Sequence, residues 1–169
     1  RTTLGELTEA RRAYDRAIEL LTALADENPD QPAYRADLAK VTDGLGLVFY
    51  RQADRAQAES CIRRATELFE ALCRDYPEVT AYQNSQANSH VNLANCLADR
   101  REAKGAEAGY RRAIQLFESL PPADAAEGAT QARLANARYN LSLLLNEVGR
   151  DAESEEEYRR AIALNERLV

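Results

Sequence analysis

One 15-residue pattern recurs through the chain at a constant step. It reads ARRAYDRAIELLTAL from Ala10, AESCIRRATELFEAL from Ala58, AEAGYRRAIQLFESL from Ala106 and SEEEYRRAIALNERL from Ser154. Successive copies begin 48 residues apart, since 58 − 10, 106 − 58 and 154 − 106 agree. A fixed period of this size is typical of repeat arrays, in which each unit buries its apolar face against its neighbours. The period therefore predicts stacked copies of one small unit.

The apolar spacing inside each unit is helical. Tyr14, Ala17, Ile18 and Leu21 form one stripe, and prolines or a glycine separate such stripes. We expect an all-α fold, a right-handed α-α superhelix of about seven antiparallel helices, with a linker from Pro121 to about Glu127. The predicted helices are Thr8–Asn28, Pro32–Arg51, Arg55–Asp75, Val79–Arg100, Lys104–Leu120, Gly128–Val148 and Asp151 to the C-terminus.

Charge and composition exclude several classes of protein. The formal net charge is −6, which lacks the positive patch that nucleic-acid binding needs, so no nucleic-acid partner is predicted. No apolar run is long enough to span a membrane. The three cysteines are odd in number and lack metal-ligand spacing, so a reducing cytoplasm is the default location. Because the chain begins at Arg1, partway into a repeat, we interpret it as a piece of a longer protein.

Each unit also carries small residues at fixed positions. Leu45-Gly46, Leu93-Ala94 and Leu141-Ser142 share a frame, and Ala58, Ala106 and Ser154 follow thirteen residues after each leucine. A small residue on each of two paired helices lets them approach closely. This pattern resembles the tetratricopeptide repeat. The resemblance implies one array over residues 1–169, made of the second helix of a truncated repeat at 4–28 and full repeats at 32–76, 79–122 and 127–169.

The pattern departs from the usual repeat in length. Its period exceeds the common 34 residues, and the usual tryptophan position of the first helix holds Thr42, His90 and Arg138. Long-period variants of this kind resemble arrays attached to large bacterial signalling proteins, including serine/threonine kinases. The resemblance implies a non-catalytic module that binds a peptide or partner protein in a concave groove. The alternative is a structural spacer or a self-association module that stacks end to end through exposed Leu164, Leu168 and Val169.

Catalytic chemistry is hard to place on this sequence. The single histidine, His90, lies in mid-helix, and Gly44-Leu45-Gly46 lies inside a helix without the third glycine of a dinucleotide site. We predict no enzyme activity, no cofactor and no metal. The acidic run from Glu153 to Glu157 lies in the first turns of the last helix, where the helix dipole favours it, so it is assigned no binding partner.

A row of asparagines is the strongest candidate for a binding site. Asn84, Asn88, Asn92 and Asn95 share one helix face, and Asn residues are poor helix formers, so some gain must compensate. In the resembling family this face lines the groove, where an amide can pair with a peptide backbone. The alternative is a solvated polar face or hydrogen bonds between helices. The predicted peptide-binding residues are Lys40, Asp43, Asn88, Asn92, Asn95, Asn136, Tyr139 and Asn140.

Overall fold

The computed structural model describes residues 2–125 and 128–167, with the backbone alone at residues 2–4, 6, 7 and 125. Within these ranges the chain forms eight helices. Their bounds are α1 Thr2–Glu27, α2 Pro32–Arg51, α3 Arg55–Asp75, α4 Thr80–Asp99, α5 Ala103–Ser119, α6 Pro122–Ala125, α7 Gly128–Glu147 and α8 Asp151–Glu166.

Most helix bounds agree with the sequence prediction to within one residue, but α1, the predicted linker and the end of the last helix do not. That helix, predicted to reach the C-terminus, ends at Glu166, and Leu168 and Val169 lie outside the described residues. The first helix begins at Thr2 instead of Thr8, because no proline precedes Thr8 and the glycine at position 5 weakens a helix without ending it. The predicted linker contains the single helical turn α6 from Pro122, whose fixed φ suits a first helical position. The expected seven helices are therefore eight in the described residues.

The chain forms two compact units, one ending at Glu78 and the other beginning at Val79. In the first unit, α2 packs against both α1 and α3. In the second unit, α4 pairs with α5 and α7 pairs with α8, while α7 also packs on α5 and on α4. The second unit is held by one hydrophobic cluster. Its largest members are Leu97, Tyr110, Ile114, Leu116, Phe117, Leu120, Leu134, Leu141, Leu144 and Leu145.

The turn inside each hairpin is the same structure three times. Ala53, Arg101 and Gly149 all have positive φ, of 61°, 61° and 77°, and they lie 48 residues apart. In each turn, the residue that follows the positive-φ residue donates its backbone N–H to the carbonyl oxygen five residues earlier. Asp54 donates to Phe49 in this way at 3.0 Å. A residue in the left-handed conformation commonly ends a helix in this way. The 48-residue period is therefore present in the backbone as well as in the sequence.

Small residues let the paired helices approach closely, as the sequence predicted. A Cβ added at Gly46 would lie 2.5 Å from the side chain of Ile62 and 3.2 Å from the carbonyl oxygen of Ala58. In the third hairpin, the hydroxyl of Ser154 donates to the carbonyl oxygen of Ser142 at 2.8 Å. These contacts confirm the predicted pairing of Gly46 with Ala58 and of Ser142 with Ser154.

Candidate functional site

The predicted binding residues are divided between the two units. Lys40 and Asp43 lie on α2 in the first unit, where Lys40 is exposed and donates to Asp37 at 3.1 Å. The remaining six lie on α4 and α7 in the second unit. Because α4 packs beside α7, the two halves of the asparagine row face each other there. The second unit therefore contains most of the candidate site.

One end of the asparagine row joins three helices. Oδ1 of Asn95 on α4 accepts a hydrogen bond of 2.7 Å from the hydroxyl of Tyr110 on α5. The same oxygen accepts one of 3.1 Å from the side-chain amide of Asn140 on α7. Asn140 also donates to Oδ1 of Asn136 at 3.0 Å. Asn95 and Asn140 thus hold helices together, which is the alternative that the sequence left open.

The other end of the row is joined in the same way. The amide of Asn84 donates to the hydroxyl of Thr130 on α7 at 2.9 Å, and Arg133 donates to Oδ1 of Asn84 at 3.0 Å. Asn88 donates to the backbone oxygen of Asn84 at 3.0 Å. Asn84 therefore makes hydrogen bonds between helices, as the alternative interpretation predicted. Asn88, one turn later on α4, makes its hydrogen bond within that helix.

An exposed strip remains on α7 beside this seam. Tyr139 and Leu143 are 43% and 47% exposed, and Asn136 is exposed as well. They recur at helical spacing with the half-buried Asn140, and half-buried Asn92 lies on the neighbouring helix. Large apolar side chains among amides are typical of a binding surface rather than of a solvated face. We call this strip, with Asn92, Asn136, Tyr139, Asn140 and Leu143, the α4–α7 face.

Sequence reasoning missed a buried ion pair. Arg138 on α7 is 5% exposed, and its guanidinium donates to the carboxylates of Glu157 on α8 and of Glu118 at the end of α5. Glu157 is 8% exposed, so the acidic run has a partner inside the fold. One feature of the sequence could have indicated this ion pair. Arg138 stands at the repeat position that Thr42 and His90 hold in the other repeats. A charged residue at such a core position requires an opposite charge nearby.

Burial shifts the pKa of two further side chains, His90 and Cys61. Burial and the nearby charge of Arg112 lower the pKa of His90 to about 4, so the ring is neutral near pH 7. Burial raises the pKa of the Cys61 thiol, which lowers its reactivity. In residues 2–125 and 128–167, no cluster of three or more potential metal ligands is present. The same residues contain no helix long and apolar enough to cross a membrane.

The comparisons with known proteins agree with this fold. Residues 135–167, which cover most of α7 and all of α8, match the family model of the tetratricopeptide repeat. A crystal structure of BtubC (BKLC) from P. vanneervenii superposes with a TM-score of 0.74 over 97% of this chain, at 18% sequence identity. The chain spans 58% of the length of that protein. No curated protein matches the sequence. The matches show an all-α fold of the tetratricopeptide-like, helical-repeat type.

Proposed function

We propose that this tetratricopeptide-like chain is a non-catalytic module that binds a peptide or a partner protein through the α4–α7 face. Tetratricopeptide repeats generally mediate protein–protein interactions. The observation that carries the proposal is the exposure of Tyr139 and Leu143, 43% and 47%, beside a seam of amide side chains. A tyrosine and a leucine four residues apart on a rigid helix present apolar area at low entropic cost.

The roles of the predicted residues differ in this proposal. Tyr139 and Leu143 are the anchors, since large apolar side chains contribute most of the energy of an interface. Asn136 is exposed and supplies a polar contact to a peptide backbone. Asn95 and Asn140 hold α4 against α7 and so keep the anchors in place.

Two further residues of the predicted set belong to the first unit and are proposed separately from the α4–α7 face. Lys40 is exposed and Asp43 is half-buried, and both lie on α2, the counterpart of α4 and α7 in the repeat. We propose that they contact charged side chains of a ligand at the surface of the first unit. The cysteines at positions 61, 73 and 96 are thiols in the structure, which suits a reducing cytoplasm. We propose that location for the module.

Selection from a displayed library of random peptides tests the proposal. Peptides selected on the unchanged chain should bind the Leu143→Glu and Tyr139→Ser variants at least tenfold more weakly. The reason is that loss of an anchor side chain buried against the peptide costs more than about 1.4 kcal/mol of binding free energy. Leu20→Glu is the matched control, since Leu20 is 49% exposed on α1 in the other unit. Selected peptides that bind both variants as tightly as the unchanged chain would refute the α4–α7 face as the binding site.

A further inference from the structure

The α4–α7 face lies between two opposite charges. Arg133 is on the second turn of α7, Glu147 is the last residue of that helix, and both side chains are exposed. Helical spacing places Glu147 in line with the residues of the face on α7, whereas Arg133 lies at the edge of α7 that meets α4. The face itself carries amide, aromatic and aliphatic side chains and no charge. Its five residues are Asn92, Asn136, Tyr139, Asn140 and Leu143.

Hydrogen bonds between α4 and α7 show that the two helices run parallel. Asn84 on α4 accepts from Arg133 near the start of α7, and Asn95, further along α4, accepts from Asn140, further along α7. Both N-termini, the positive ends of the helix dipoles, therefore lie at the end of the face marked by Arg133, and both C-termini lie at the opposite end. Backbone and side-chain charges thus agree in giving the face a positive end and a negative end.

The guanidinium of Arg133 is oriented at the positive end. Its Nη1 donates to Oδ1 of Asn84 at 3.0 Å. The other N–H groups of a guanidinium held in this way can bind a carboxylate through two parallel hydrogen bonds. Asp124 on α6 lines the same small cavity, but these two residues, both within the described part of the chain, form no ion pair. A ligand carboxylate can therefore neutralise the charge of Arg133.

Glu147 stands where its own helix disfavours a negative charge. The C-terminal end of a helix favours cations, yet α7 has no basic residue in its last turn, whereas α2 has Arg51 at the equivalent position. The next arginine along the chain, Arg150, donates to Glu107 and Glu153 instead. Within residues 2–125 and 128–167, no side chain pairs with Glu147. A basic side chain of a ligand would offset this unfavourable placement.

We propose that the α4–α7 face binds an extended segment of a partner protein with an acidic residue at one end and a basic residue at the other. This inference rests on the proposed function and names the ligand class of the same site. The acidic residue contacts Arg133, the basic residue contacts Glu147, and an apolar residue between them packs on Leu143. The exposed amide of Asn136 favours an extended backbone, because a helical ligand would already pair its own N–H and C=O groups.

The length of the face sets the spacing of the two charges in the ligand. Arg133 and Glu147 are 14 residues apart, since 147 − 133 = 14, which corresponds to about 21 Å along α7. An extended chain covers this distance in about six residues, at about 3.3 Å each. A helical ligand would need about 14 residues to cover it.

Peptides selected on the unchanged chain report this spacing directly, if the library is long enough to cover the face as a helix. We expect an acidic and a basic residue about six positions apart in the peptides whose binding Leu143→Glu weakens. A separation of about 14 would indicate a helical ligand and would overturn the extended segment. Selected peptides that lack a charged pair but still depend on Leu143 would overturn this inference and leave the proposed function standing.

Charge reversal on the chain tests each end separately. Glu147→Lys should weaken a selected peptide about fivefold or more, and replacing the basic residue of the peptide with glutamate should restore most of that loss. Arg133→Glu should behave in the same way with the acidic residue of the peptide replaced by lysine. Glu147→Lys should not lower the melting temperature, because the helix dipole favours a cation there, so weaker binding is not a loss of folding.

Arg12→Glu is the matched control for Arg133→Glu. Arg12 is exposed on α1 in the other unit, and the two substitutions change the net charge equally. Isothermal titration calorimetry should show an affinity change of less than about twofold for Arg12→Glu, since exposed charges far apart are screened by salt. Equal weakening by Arg12→Glu and Arg133→Glu, or no recovery with the exchanged peptides, would overturn the charge pairing.

Discussion

The side-chain amide of Asn140 donates to Oδ1 of Asn95 across the boundary between α7 and α4, at 3.1 Å. Since the same oxygen also accepts from Tyr110, one atom joins three helices. Asparagine in a helix interior costs several tenths of a kcal/mol relative to alanine. A hydrogen bond that fixes neighbouring repeats offsets that cost. The asparagine row therefore joins α4 to α5 and α7.

Replacing Asn95 with alanine should destabilise the second unit. The change removes the hydrogen bond between Asn95 and the hydroxyl of Tyr110, a residue only 3% exposed, and the loss of such a buried bond costs about 1–3 kcal/mol. Urea denaturation measures the effect. The double variant with Tyr110→Phe should lose less than the sum of the two single variants, because both single variants remove the same hydrogen bond. An additive double variant would show that Asn95 and Tyr110 do not depend on each other.

Glu157→Ala should be among the most destabilising changes in the chain. It removes the buried partner of Arg138 and leaves only the half-exposed carboxylate of Glu118 to compensate that charge, so the loss should approach the roughly 3–5 kcal/mol of a broken buried pair. Glu118→Ala is the matched control: Glu118 also accepts from Arg138, but its side chain is 51% exposed, so the loss should stay within about 1 kcal/mol. Thermal unfolding of both variants gives the comparison. Equal losses would mean that Arg138 depends on neither carboxylate in particular.

Sequence patterns predicted the backbone of this protein better than its side-chain contacts. The ends of α2 and α3 follow from prolines and from apolar spacing, which act within a few residues. The pairing of Arg138 with Glu157 joins residues on two helices, and no local rule relates them. The asparagine row was visible as a pattern in the sequence. Whether its amides bond to a neighbouring helix or face solvent depends on which side chains of α7 lie opposite α4. Sequence alone leaves that relationship open.

Ala53→Gly and Arg101→Gly should stabilise the chain. Both residues have φ of 61°, a left-handed conformation that costs an ordinary residue about 1 kcal/mol and costs glycine little. The reverse change at the equivalent turn, Gly149→Ala, should destabilise by a similar amount, since φ there is 77°. Melting temperatures of the three variants measure the effect. A drop in melting temperature for both glycine variants would contradict the assigned turn geometry.

Gly46→Leu should cost more than about 2 kcal/mol. Even a Cβ at this position would lie 2.5 Å from Ile62, which is fully buried, and overpacking a core typically costs about 1–3 kcal/mol. Gly5→Leu is the control, because a Cβ on Gly5 of α1 meets nothing within 4 Å. Guanidinium denaturation should show a large loss for the first variant and none for the second. An unchanged midpoint for Gly46→Leu would mean that α2 and α3 are not in close contact.

The stability of the second unit should fall as the solution becomes mildly acidic. Burial and Arg112 lower the pKa of His90 from 6.5 to about 4, so protonation favours the unfolded chain. Neutral His90 contributes fully to the free energy of unfolding above about pH 6.5, and this contribution is lost as the pH falls towards 4. The loss is up to about 2 kcal/mol after allowance for the partial exposure of the ring. Carboxylates such as Glu107, whose pKa Arg150 holds below its ordinary 4.5, lose their contribution only at lower pH. Urea denaturation between pH 7.5 and 5 should therefore show a decline that His90→Gln removes, and an equal decline in that variant would assign the effect to other groups.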